Sequence, residues 1–334
     1  MGAERGGRLG PWREELRQLR HEADVALGER RHVLVSEDPP PIEGRSLLFL
    51  GSGGNPTNVV GQMRQTGGFV VTLPGCRVFV DPGPGAIFHA ARAGVEMRNL
   101  TALFISHEHT DHASGAGAVI EAMCRGMSAR RGSLLAPREV LDAIPPFYRG
   151  EVARPPYPGG TGSIVPLTAG CSVGIAPGVS LTATPAHHGG ANVGMRLDDG
   201  TMRVSYTSDT AFITRFSTED GREHEVERGV PLPEDLAQVT GVYEDVVEAH
   251  RDADVLIMNV SFLHLFPHRQ LTAIGAIELI RRARPKRAVL THFDPSLGIP
   301  PERAENLARI VGEITSTPTT AASDGLLLPL AEGA

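Results

Sequence analysis

The chain has 334 residues, of which 41% are hydrophobic and 21% charged, the ordinary balance of a soluble globular protein, so disorder is not the expected reading. Its 32 Lys and Arg against 39 Asp and Glu leave a net charge of −7, which argues against a broad nucleic-acid-binding face. Cys76, Cys124 and Cys171 lie far apart and form no CxxC pair, so neither a disulfide framework nor a thiolate zinc site is expected.

The N-terminal segment is charged where a secretory signal needs an apolar run, and no stretch approaches the ~20 apolar residues that span a bilayer. A reducing cytoplasm is the expected location, with no membrane partner. The first residues are rich in Gly and Arg, and from Pro11 to Leu27 the side chains Leu16, Leu19 and Ala23 recur on one face, as in an exposed amphipathic helix. Residues 1–45 therefore read as an N-terminal extension to a domain covering 46–334.

From Ser46 onward short apolar strands alternate with helices, a layered α/β pattern. Strands are expected at 47–50, 68–73, 77–81, 102–106 and 133–137, with a helix across 113–127. A second series is expected at 179–186, 203–209, 254–261, 287–293 and 325–330, with helices at 234–251, 271–284 and 301–315. In the first of these helices Leu236, Val239, Tyr243, Val246 and Val247 recur at helical spacing and read as core contacts. The basic run Arg125 to Gly132 reads as a solvated helix end. Residues 145–162, rich in Pro, Gly and aromatics, and the highly charged 217–235 read as long loops, either covers for a site or flexible connections. The Gly-rich stretches 51–58 and 83–88 lack both the GK[ST] of a P-loop and the third glycine of a dinucleotide fingerprint, so no nucleotide cofactor is expected.

Straight after the apolar run 102–106 comes His107-Glu108-His109-Thr110-Asp111-His112. Alternation sends His107 and His109 the same way, and Asp111 and His112 project from the turn that follows, so donors converge at one strand end. A first-row transition ion takes about four to six donors. Other strand ends offer them: His187 or His188 in TPAHHGG, Asp209 in YTSDT and His292 in VLTHFD. Active sites of α/β sheets gather at such C-terminal strand ends.

The motif HxHxDH, with its later His, Asp and His, resembles the metallo-β-lactamase-fold hydrolase superfamily, over roughly residues 46 to 330. The resemblance implies an α/β fold of the four-layer αββα sandwich type, two mixed sheets packed face to face with helices outside. It also implies two divalent metal ions, Zn first, with Mn or Fe as alternatives. One would be held by His107, His109 and a His of TPAHH, the other by Asp111, His112 and His292, with Asp209 bridging. His187 stands seven residues before Gly194, as in some relatives, and His188 six, as in others. His187 is the expected ligand and His188 the second choice. Asp81 in VFVDPG matches the family's strand-end aspartate, implied to brace the ligand loop.

Two ions ~3.5–4 Å apart lower the pKa of a shared water and stabilise attacking and leaving oxygens, so hydrolysis is the expected reaction, with Asp111 holding the attacking hydroxide in line. The opening LLFLGSGGNPTN with MRQTGG, and the late run PHRQLTAIGAIELIRRARPKRAVLTHF, are similar to the branch containing ribonuclease Z and the cyclic-phosphate phosphodiesterases. That likeness implies His268, or else His264, as the group that protonates the leaving oxygen or binds phosphate. Two departures disfavour transfer-RNA processing. Asn259 stands where ribonuclease Z relatives carry a glutamate, and the Gly-rich RNA-gripping arm is not recognisable. The expected substrate is a small phosphodiester, with no nucleic-acid partner and a homodimer admitted. A lactone, thioester or other acyl hydrolase is the second reading, and a non-catalytic metal-binding sensor or assembly subunit the third.

Overall fold

The computed structural model describes residues 10–35, 39–153 and 163–330. The chain divides into two units, Met1–Pro40 and Pro41–Ala334. In the first, a 3₁₀ turn at Gly10–Trp12 leads into the helix Arg13–Val35, which continues past the Leu27 limit expected. Leu16, Leu19, Val25 and Leu27 on it are exposed, and the Arg20–Asp24 surface pair at 3.7 Å contributes well under ~1 kcal/mol.

The second unit holds, among the described residues, a seven-stranded sheet in the spatial order Leu327–Pro329, Ser46–Phe49, Phe69–Leu73, Cys76–Val80, Ala102–Phe104, Ser133–Ala136, Ser163–Pro166. The strands up to Cys76–Val80 pair antiparallel, and the rest are parallel. An eight-stranded sheet runs Thr319–Ala321, Arg287–Thr291, Val255–Phe262, Arg203–Tyr206, Val193–Asp198, Val179–Pro185, Ser172–Ala176, with Leu271–Thr272 paired beside Val255–Phe262. Both sheets are mixed, as expected.

Alternation along the strands explains why the sheets stack. Leu47, Phe49, Val78, Val80 and Phe104 of the first sheet pack against Leu181, Met195, Leu197, Tyr206, Ile257 and Val289 of the second, forming one buried core. The intervening residues face outward. Phe79, Leu103 and Ile105 meet Ala90, Val119, Ile120 and Met123 of the helices Ala86–Arg92 and Ala116–Met123. On the far side Leu256, Met258 and Leu290 meet Val246, Val247, Leu279, Leu307 and Val311, from the helices Glu244–His250, Ala273–Ala283 and Pro301–Thr315. A strand apolar on both faces can only sit between two layers, so the sequence makes four. At ~1.5–3 kcal/mol per buried aliphatic or aromatic side chain, these three cores hold the strand ends in place.

Three expectations change. Residues 234–251 are not one helix: Leu236–Val242 is a strand paired with Ile213–Thr218, and the helix begins at Glu244. The β-branched Val239, Thr240 and Val242 favour the strand, and Gly241 lets it approach closely, since a β-carbon there would lie 2.7 Å from Thr214 Oγ1. The core reading of Val239, Val246 and Val247 stands, all three being buried. The charged 217–235 is no free loop, because Glu223–Glu225 also pairs with Ile213–Thr218. The helix expected at 113–127 breaks into Thr110–Ala113 and Ala116–Met123. Pro146–Ala153 is helical, and the remainder of the 145–162 cover lies outside the described residues.

Candidate metal centre

Four strands deliver the polar residues to one edge of the two-sheet core. Cys76–Val80 ends in Asp81, Ala102–Phe104 leads to His107, Arg203–Tyr206 to Asp209, and Arg287–Thr291 to His292. Asp81 (φ 49°), Ser208 (φ 57°) and His292 (φ 65°) take the left-handed backbone region just past their strands. Such conformations cost on the order of 1 kcal/mol each and gather at functional sites. His109 opens the single turn Thr110–Ala113, which carries Asp111 and His112 on its inner side.

Asp81 braces this loop. Its Oδ1 accepts the Ser106 backbone N–H at 2.7 Å, and its Oδ2 accepts from Ser106 Oγ (2.7 Å), Tyr206 Oη (2.8 Å) and His112 Nδ1 (2.9 Å).

Donor atoms of His107, His109, His188 and Asp209 lie within 4.8 Å of one another, as do those of Asp111, His112 and His292. Asp209 touches both groups. Its Oδ2 is 3.7 Å from His188 Nε2, and its Oδ1 is 3.4 Å from His292 Nε2 and 3.8 Å from His112 Nε2.

Outer hydrogen bonds settle which ring nitrogens carry protons. The Asp81 carboxylate can only accept, so His112 holds its proton on Nδ1, and the Arg269 carbonyl 2.7 Å from His188 Nδ1 does the same there. Ser106 Oγ gives its proton to Asp81 and so accepts from His107 Nδ1 at 3.0 Å. Ser261 Oγ gives its proton to Gln270 Oε1 (3.1 Å) and accepts from His292 Nδ1 (3.0 Å). Four Nε2 atoms therefore point inward, each offering a lone pair when its imidazole is neutral. His112 Nε2 and His292 Nε2 are 3.0 Å apart, a separation that repels unless a proton or a cation shares it. The residues present fit divalent cations, and the outer hydrogen bonds are those that orient metal-binding imidazoles.

Electrostatics agree. Burial, then the neighbouring His112, pushes the His107 pKa well below its usual range, and burial with His188 lowers His109. For His112 burial is outweighed by Asp111, Asp81 and Asp209, which push its pKa up to about 10 in the absence of a metal. The three carboxylates make the cage favour positive charge. Asp111 and Asp209 are lowered, because the surrounding imidazoles overcome the burial that would raise them.

The loop carrying Gly54 closes on His292. A β-carbon at Gly54 would lie 2.2 Å from His292 Nε2, so only glycine fits. The next residue, Asn55, donates its backbone N–H to Asp111 Oδ2 at 2.8 Å. Beside the cluster opens a cavity of about 550 Å³, lined by His109, Asp111, His188 and Asp209, by Asn55, Arg269 and Gln270, and by the apolar Val59, Val60, Phe262 and Phe266.

Two sequence expectations are corrected. His187 does not face the cluster. Its Nε2 bonds Asp245 Oδ2 at 2.9 Å, its ring stacks on Tyr243 at 3.8 Å, and its backbone pairs with Ala211. Adjacent residues of extended chain point opposite ways, so only one of the pair can turn inward, and it is His188. Nor do His268 and His264 line the cavity. His268 Nδ1 accepts the Gly229 N–H at 3.4 Å and borders a separate depression with Arg215 and Tyr243, while His264 is exposed. The chain turns at Phe266 (φ 54°), and Arg269 and Gln270 face the cavity instead.

Sequence reasoning also missed Tyr206 and underrated Asn259. The Asn259 Nδ2 donates to Asp209 Oδ1 (2.7 Å) and Tyr206 Oη (2.9 Å), linking Asp209 to Asp81 through buried groups. Asn55 could have been noticed, because an Asn between a glycine pair and a proline marks an unusual backbone.

Residues 76–226 match the family model of the β-lactamase superfamily domain. The layers and strand ends described above are those of the metallo-β-lactamase fold. It is 32% identical over 177 residues to an uncharacterised protein of Methanocaldococcus jannaschii, a match covering 50% of this chain and only 62% of that relative's length. It is 26% identical over 297 residues to a ribonuclease Z of Streptomyces coelicolor, covering 81% of this chain and 94% of the relative. Among solved structures, a diphosphatase of the PhnP family superposes with a TM-score of 0.58 at 19% identity, over 86% of this chain and 98% of the other.

Proposed function

We propose that the protein is a dinuclear metal-dependent hydrolase of a small phosphodiester. One observation carries this reading: two donor groups share Asp209, with four imidazole Nε2 atoms turned toward the gaps between them. In this reading His107, His109 and His188 hold one ion, Asp111, His112 and His292 the other, and Asp209 both. Zn suits the His and carboxylate donors best, with Mn or Fe as alternatives. Bound there, the cations supply Lewis acidity and a water acidic enough to act as nucleophile near neutral pH.

The chain's own groups do the rest. Asp111, its Oδ2 fixed by the Asn55 N–H, accepts a hydrogen bond from the attacking oxygen and keeps it aimed across the cavity. Asn259 and Gln270 hold Asp209 from the opposite side, at 2.7 Å and 3.4 Å. Arg269, exposed at the cavity, offsets the charge of a phosphodiester. The relatives named ribonuclease Z and diphosphatase support phosphorus as the electrophile. The size of the cavity and the net charge of −7 support a small substrate over nucleic acid. No described helix is long and apolar enough to cross a membrane, and the free Cys76, Cys124 and Cys171 suit a reducing cytoplasm.

The test is turnover of bis-p-nitrophenyl phosphate and a panel of cyclic and nucleotide-derived phosphodiesters by protein loaded with Zn or Mn. Metal-dependent hydrolysis of the panel is expected, and none across it overturns the reading. The apolar wall of Val59, Val60, Phe262 and Phe266 favours a second reading, an acyl hydrolase. That reading requires turnover of thioesters or lactones with the phosphodiesters left intact.

A further inference from the structure

Asn55 combines three features that packing alone does not explain. The residue is only 9% exposed, yet its Nδ2 has no hydrogen-bond partner among the described residues. A buried, unpaired amide donor costs about 1–3 kcal/mol. Its backbone sits at φ 72°, in the left-handed region that glycine adopts most freely and, among residues with a β-carbon, Asn tolerates best. A glycine would adopt that φ without strain and would keep the backbone N–H bond to Asp111 Oδ2. A carboxamide is present all the same, and it lines the cavity shared by His109, Asp111, His188 and Asp209.

The described residues give this amide no acceptor within hydrogen-bonding geometry. Asp111 Oδ2 takes the Asn55 backbone N–H and faces His292 Nε2 at 3.2 Å, and Asp209 Oδ1 takes the Asn259 amide. Asn55 lines the cavity, so a ligand held there can supply an acceptor. Arg269 lines the same cavity, so its guanidinium and the carboxamide offer two donors to one ligand. The substrate of the proposed reaction supplies such acceptors in the paired, negatively charged non-bridging oxygens of its phosphoryl group.

We infer that Asn55 grips the substrate: its Nδ2 donates a hydrogen bond to a non-bridging phosphoryl oxygen, and the bond strengthens as charge builds on that oxygen during attack. This deepens the phosphodiesterase reading and rests on it. The left-handed backbone is what aims the amide into the cavity while its own N–H holds Asp111.

Asn55→Gly separates side chain from backbone, because it retains the bond to Asp111 and the left-handed φ. Asn55→Asp keeps the shape and removes the donor. In both variants the metal content should stay at the wild-type level and kcat/KM on bis-p-nitrophenyl phosphate should fall about 10²-fold, mostly in kcat, the order seen when one oxyanion donor is lost. Titration of the metal-loaded proteins with inorganic phosphate gives a readout independent of turnover, and its Kd should weaken about 10-fold in Asn55→Gly. An Asn55→Gly protein that binds phosphate and turns over phosphodiester within twofold of wild type overturns the inference and leaves the proposed function standing. A wild type inert on every phosphodiester overturns the proposed function instead. The phosphate titration then decides on Asn55 alone: a weakened Kd supports the donor role and an unchanged one overturns it.

Discussion

Gly54 lies flat against the imidazole of His292, at the one position in its loop where a β-carbon would penetrate the ring, 2.2 Å from Nε2. Its backbone is extended, at φ −144°, so the demand is for space and not for a rare conformation. Gly54→Ala should therefore fold and push His292 out of line with His112 and Asp111. The bound metal should drop from two ions per chain toward one, with kcat falling at least about 10²-fold. Elemental analysis of the purified variant checks this. Two ions retained at wild-type rate would refute the placement of His292.

His187 and His188 make a matched pair of controls. His188→Ala removes an inward donor and should cost about 10³-fold in kcat together with one ion. His187→Ala removes the bond to Asp245 and the stacking on Tyr243, partly exposed contacts together worth about 1 kcal/mol. It should stay within about tenfold of wild type with full metal. Reversed effects would return the ligand role to His187.

Asn259→Leu tests the buried bridge between Asp209 and Tyr206. The variant leaves Asp209 Oδ1 without its 2.7 Å donor, and an unsatisfied buried acceptor costs about 1–3 kcal/mol. We expect Tm to fall and apparent metal affinity to weaken about 10- to 100-fold, the range for partners that orient a ligand. A chelator competition measures the second effect, and unchanged competition would show that Asn259 only packs.

His250 sets an acid limit away from the metal centre. It is fully buried, its Nδ1 meets Ser205 Oγ at 3.0 Å, and its Nε2 has no partner among the described residues. Burial, helped by Arg196, lowers its pKa to about 3. Because the folded value lies below the unfolded ~6.5, the unfolded chain takes the proton first. The stabilisation is thus complete above pH ~6.5 and is lost as pH falls toward 3. Between pH 7 and 4.5 this group should remove about 2 kcal/mol. Urea unfolding of His250→Leu at both pH values should show a drop smaller by about that amount. Equal drops would show that His250 titrates normally.

How much of this was readable beforehand depended on the range of the interaction. HxHxDH was legible because its donors lie within one strand end and one turn, where spacing alone decides which way side chains project. Alternating apolar strands likewise announced sheets buried on both faces. The choice between His187 and His188 was not legible, since it turns on the pairing of His187 with Ala211, a contact with a residue 24 positions away. Leu236–Val242 was misread because Leu236, Val239, Tyr243, Val246 and Val247 fit a helical period by coincidence, and only the partner strand Ile213–Thr218 breaks the tie. His268 was misplaced for a related reason: the turn at Phe266 directs its neighbours Arg269 and Gln270 inward, and nothing local announces that rotation.

The centre draws His107, His109, Asp111 and His112 from loops of one sheet, and His188, Asp209 and His292 from the other, with the Tyr206 to Asp81 bond spanning the seam. Neither half of the sandwich carries a complete ion position by itself. In the proposed reading each cation would act as a rivet through the two layers, so that sliding one layer over the other would strip ions and disarm the catalyst in the same motion.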